Sequence, residues 1–108
     1  MYLLFYTKRK IIKGFAGITL GFIIIINEDY KNDKCLLEHE KVHVKQFWNN
    51  PLFCMLYLIS KKYRLKSEVE AYKKQIECGA NPDRMAQFLC EKYNLNITFD
   101  EAKKLLST

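Results

Sequence analysis

At 108 residues the chain has room for one compact domain and too little for two. Hydrophobic residues make up 49%, which suits a packed core and excludes a disordered tail. Eighteen Lys and Arg stand against twelve Asp and Glu, a net charge of +6, but the lysines are dispersed without aromatic–basic interleaving, so no nucleic-acid partner is expected.

The cysteines Cys35, Cys54, Cys78 and Cys90 are widely spaced and form no C-x-x-C pair. With their apolar neighbours they read as buried free thiols in a reducing compartment, although their even number permits two disulfides. A secretory leader places positive charge ahead of its apolar run. Here Met1-Tyr2-Leu3-Leu4-Phe5-Tyr6 comes before Lys8-Arg9-Lys10. The uncharged run from Gly14 to Asn27 is 14 residues long, against roughly 20 for a spanning helix. The reading is cytoplasmic, with membrane contact disfavoured.

In chain order, residues 2–6 read as a short strand or the start of a short helix. Ile11 to Leu20 and Phe22 to Asn27 read as strands broken near Gly14, Gly17 and Gly21. Ile23-Ile24-Ile25-Ile26 carries the strongest β signal, for a strand covered on both faces or one with an edge partly occupied by a ligand. After a polar loop, Asn32 or Asp33 can cap a helix from about residue 34 to Trp48, stopped at Asn49-Asn50-Pro51. Leu52 to about Lys62 reads as a nearly all-apolar second helix, either buried or touching a membrane; burial is the commoner outcome for so short a run. Ser67 and Glu70 predict a capping box for a third helix ending near Cys78, with Gly79 beyond it. Asn81-Pro82-Asp83 opens a fourth helix to about Tyr93, and Thr98 to Glu101 opens a last one to about Leu106. The fold class is α+β: a short antiparallel or mixed sheet followed by four to five helices.

The stretch that carries chemistry is His39-Glu40-Lys41-Val42-His43, an H-E-x-x-H motif holding both histidines of the chain. On a helix, residues four apart lie one turn apart on the same face, so two imidazoles can reach one metal ion. The motif is a known zinc arrangement in which the glutamate serves as base. Leu36, His39, Glu40, His43 and Phe47 share that face. A catalytic zinc takes three protein ligands. No third histidine exists, and position 49 is asparagine, so a carboxylate is required. The third helix offers Glu68 and Glu70, which point about 200° apart. Glu68 aligns with Ala71, Tyr72 and Gln75, and a small residue beside the ligand lets two helices approach closely. Glu68 is chosen as third ligand, with Glu70 in reserve.

His39-Glu40-x-x-His43 followed by Glu68-x-x-Ala71 resembles the gluzincin metallopeptidases, whose third ligand is a glutamate on a later helix, often within E-x-x-A-D or E-x-E-A. The short length, the preceding strands and Gln46 are most similar to minimal single-domain members, including small phage- or prophage-encoded proteins. The likeness covers residues 36–48 and 64–76, and is only architectural over 11–27. It implies a zincin-like domain binding one Zn2+ through His39, His43 and Glu68. It also implies a peptide or protein substrate, with Glu40 taking a proton from the attacking water and passing it to the leaving amine. Several families carry a supporting aspartate where this chain has Tyr72. That phenol could instead support a ligand, donate to an oxyanion or simply pack in the core. Substrate is expected to lie as an added strand along Phe22 to Asn27, with Tyr63 and Arg64 within reach of the cleft. The alternative function is a non-catalytic interaction module on the same fold.

Overall fold

In the computed structural model, which describes residues 1–8 and 15–108, the isoleucine run is the middle of the sheet. This strand, β3 (Ile23–Asn27), pairs in parallel with β1 (Leu3–Thr7) and antiparallel with β2 (Gly17–Leu20). The Ile11 to Gly14 part of the first long predicted strand lies outside the described residues. The two-residue period of a strand divides the isoleucines between faces. Ile24 and Ile26 are buried against Val44, Leu36 and Leu37, while Ile23 and Ile25 are half-buried on the other face. Gly21 makes the β2–β3 turn at φ +63°, and the Phe47 ring lies 3.5 Å from where a Cβ would stand. A side chain there would be both strained and crowded.

A short 3-10 turn at Glu28–Tyr30 leads to α1 (Lys34–Asn49). Asp33 is its cap, its carboxylate accepting from the Leu36 N–H at 2.9 Å. Next come α2 (Phe53–Ile59), α3 (Lys61–Cys78), α4 (Pro82–Lys92) and α5 (Phe99–Leu106). The described residues therefore form an α+β fold with a three-stranded mixed sheet at the N-terminal end followed by five α-helices.

Three expectations need correction. First, α3 begins at Lys61, not near Ser67. Ser60 takes the capping role, accepting from the Tyr63 N–H at 3.1 Å, so Lys61 to Arg64 form the first turn. Second, α2 is not a buried helix. Only Phe53 is buried, and Leu52, Met55, Leu58 and Ile59 are between 51% and 75% exposed. Third, Cys35 and Cys78 form a disulfide, with Cα atoms 5.4 Å apart, and Cys54 is exposed. The spacing in sequence hides the pairing because α1 and α3 run side by side only once folded. The expectation of a reducing compartment loses its basis with the free thiols.

Two apolar clusters hold the fold. One joins β3 to α1. The other joins α3, α4 and α5 through Tyr72, Met85, Ala86, Leu89, Leu95, Ala102 and Leu106. Burying each large aliphatic side chain contributes about 2 kcal/mol. Between the clusters α1 packs along α3, and Ala71, fully buried, permits the approach. Among the described residues no helix is long and apolar enough to cross a membrane.

Candidate metal centre

The seam between α1 and α3 gathers His39, His43 and Glu68. All three are buried, at 3%, 6% and 2% exposure, where an unpaired charge would be costly. Both histidine Nε2 atoms lie 3.2 Å from Glu68 Oε1. One donor atom from each of the three residues falls within 4.8 Å of the other two, so the group could hold a metal ion. Glu70, two residues along α3, is exposed and outside this group.

The surrounding hydrogen bonds fix the donors. Gln46 donates from Nε2 to the Ser67 carbonyl at 3.2 Å, and the Ser67 hydroxyl donates to Gln46 Oε1 at 2.6 Å. That oxygen is also 2.9 Å from His43 Nδ1. The network therefore assigns the hydrogen to Nδ1 of His43. In a neutral ring Nε2 then presents a lone pair to Glu68 Oε1, and two acceptors would face each other. A cation must separate them, either a proton on His43 or a metal. Burial pulls the His43 imidazole toward neutrality. The Glu68 carboxylate, its hydrogen bond, the Glu40 charge and Gln46 outweigh this and lift the His43 pKa from 6.5 to about 9. Glu68 shows the complement: burial favours its neutral form, but His43 and the hydrogen bonds with both histidines hold it well below the usual carboxylate range.

The other oxygen of Glu68, Oε2, accepts from the Tyr57 hydroxyl of α2. Burial, reinforced by the Glu68 charge, pushes the Tyr57 phenol far above its ordinary value, so it stays a donor. Tyr57 thereby turns Oε1 toward the histidines. Arg64 braces this arrangement from below, donating to the carbonyls of Tyr57 at 2.8 Å and Tyr93 at 2.9 Å. It reaches the wall of the site, while Tyr63 packs against Phe53.

Glu40 is 4% exposed and faces β2. Thr19 donates to its Oε1 at 2.7 Å, and Oε2 lies beside Gly17, 3.4 Å from where a Cβ would stand. Tyr72 sits edge-on to His39, with ring centroids 4.4 Å apart, and its hydroxyl pairs with that of Tyr93 at 2.6 Å. His39 Nδ1 has no hydrogen-bond partner among the described residues. The side chain that follows Glu68 by four residues thus reaches His39 with its ring and not with a polar atom.

Two cavities meet at Gly17, His39, Glu40 and Tyr93. One, of about 300 Å³, is bordered by apolar side chains including Phe15, Ile18, Phe53 and Leu58. The other, of about 780 Å³, runs toward Asp29, Arg84 and Lys92. The expected substrate strand needs correction. β3 is paired on both sides, so its main chain has no free edge. Among the described strands the one beside the site with an outer edge is β2. The Asn27 N–H bonds the Ala16 carbonyl at 2.8 Å, and antiparallel alternation then turns the main-chain groups of Gly17 and Thr19 outward.

Comparison with protein-family models, curated proteins and solved structures returned no match.

The centre therefore stands on its own geometry. The sequence reading brought forward His39, Glu40, His43 and Glu68, and these converge. It missed Tyr57, Thr19 and Tyr93 and gave Ser67 a capping role; Tyr57 and Thr19 are each a polar atom in an apolar run, whereas Ser67 and Tyr93 stand among charged and polar neighbours and carry no such signal.

Proposed function

We propose that the chain is a small zinc-dependent peptidase of the gluzincin type, with a zincin-like fold. The observation that carries this reading is the buried convergence of two Nε2 atoms on one carboxylate oxygen, with a second carboxylate, Glu40, held one residue from His39 at the meeting of two cavities. The fit to zinc is favourable. Ligands about 2.1 Å from a tetrahedral zinc stand roughly 3.4 Å apart; each histidine Nε2 stands 3.2 Å from Glu68 Oε1, and all three donor atoms lie within 4.8 Å of one another. Two imidazoles and a carboxylate without cysteine match a catalytic rather than a structural donor set. When bound, zinc would supply Lewis acidity, polarising a scissile carbonyl and acidifying the attacking water.

The chain's own residues supply the rest. Thr19 orients Glu40, leaving Oε2 to accept the proton of the attacking water and return it to the leaving amine. Gln46 and Ser67 fix the tautomer of His43, and Tyr57 aims Glu68. The outward N–H and C=O groups of Gly17 and Thr19 would pair with an extended peptide laid along β2. Phe15, Ile18, Phe53 and Leu58 then favour a bulky apolar side chain beside the scissile bond. Tyr72, through its hydroxyl pair with Tyr93, is the proposed donor to the oxyanion.

The test is Glu40→Gln with zinc content and peptide cleavage measured together. Zinc should be retained, and cleavage should fall by about a hundredfold or more. Zinc bound with no cleavage by the wild type across a broad peptide library would favour a non-catalytic module.

A further inference from the structure

From the structure we infer that the outer face of α2 docks the protein on an anionic membrane surface. α2 is apolar all round, and the fold covers only one side of it. Phe53 is buried and Tyr57 turns inward to Glu68, while Leu52, Met55, Leu58 and Ile59 stand 57%, 51%, 75% and 74% exposed. These four recur at helical spacing and form one outward stripe.

Charge selects the occupant. Between Glu40 and Glu68 the chain has no acidic residue, whereas it has Lys41, Lys45, Lys61, Lys62, Arg64 and Lys66. Arg64 is committed to the carbonyls of Tyr57, Leu58 and Tyr93, and Lys41 pairs with Glu38. Lys61, Lys62 and Lys66 are exposed on the first turns of α3, directly after the apolar stripe. An apolar stripe edged by lysines without intervening carboxylates matches an anionic bilayer, which attracts the ammonium groups and accepts the side chains. α2 lies in the interface and does not span it, since it has only seven residues. Leu58 also borders the cavity at the candidate metal centre, so docking would set the mouth of that cavity at the lipid surface.

The experiment is co-sedimentation of the full chain with vesicles of neutral phosphatidylcholine, with and without 30 mol% phosphatidylglycerol (about a third anionic lipid, where surface potential is substantial). Binding is expected on the anionic vesicles and should weaken with added salt. Lys61→Glu with Lys62→Glu should reduce it by roughly thirtyfold or more, from about fivefold per lysine. Leu58→Glu with Ile59→Glu should abolish it, with circular dichroism confirming that both variants fold. A folded wild type that ignores anionic vesicles overturns the inference, as does equal binding by both double variants. So does a dimer that Leu58→Glu with Ile59→Glu converts to monomer, which would make a second copy the occupant of this face.

Discussion

His43 is where the chemistry of this chain is most tightly constrained. Its Nδ1 side is fixed by Gln46, and its Nε2 side faces a carboxylate, so a proton and a metal compete for one position. Without metal, and against the cost of burial, the Glu68 carboxylate, the Glu40 charge and Gln46 hold the proton there, so the His43 pKa rises to about 9. A basic group with a raised pKa stabilises the fold fully below its unfolded value near 6.5, and that contribution is lost as pH rises through about 9. Glu68 has the opposite sign: its pKa is lowered, so its contribution is present above the ordinary carboxylate range and is lost in acid. Thermal melts in chelator should therefore show stability falling from pH 6.5 to pH 9.5. Over the same interval apparent zinc affinity should climb, by about tenfold per unit below pH 9, because binding displaces that proton. An affinity flat in pH would contradict the shared position. Tyr57→Phe removes the donor that aims Glu68 and should weaken zinc binding by about ten- to a hundredfold, read by competition with a chromogenic chelator.

At the scale of elements, the parts written in local chemistry were legible and the parts written in tertiary contacts were not. The extent of α1 follows from Asp33, the histidine spacing and Asn50-Pro51, and that of α5 from the Thr98–Glu101 capping box. Glu68 could be preferred over Glu70 because Ala71 and Gln75 share its face, and both are buried. The start of α3 is misplaced in sequence because Ser67 with Glu70 three residues on resembles a capping box, whereas the cap is Ser60. Ser67 is an internal residue whose hydroxyl serves Gln46, a partner 21 residues away. The middle position of β3 was equally hidden, since β1 joins it in parallel and no local signal announces such a pairing. The disulfide belongs to the same class. It links the N-terminal turn of α1 to the last residue of α3 and encloses all three candidate ligands in a loop of sequence separation 43. Loop closure of that length stabilises by about 4 kcal/mol. Cys35→Ser should lower the denaturation midpoint accordingly, and an unchanged midpoint under non-reducing conditions would count against the bridge.

For the molecule as a whole, the centre sits where two separately packed halves meet. The sheet and the Glu40 side of α1 lie on one flank, and α3, α4 and α5 lie on the other. Neither half alone contains a complete donor set: α1 gives two imidazoles and α3 gives the carboxylate. A metal held there would therefore report on the correct docking of the halves, and the halves are held in turn by the disulfide and by Ala71 at the seam. The most direct test is elemental analysis of zinc-loaded wild type, Glu68→Ala and Glu70→Ala after gel filtration, with folding checked by circular dichroism. One zinc per chain is expected in wild type and in Glu70→Ala, and none in folded Glu68→Ala. Zinc-free wild type, or a Glu68→Ala chain that keeps its zinc, would overturn the assigned donor set.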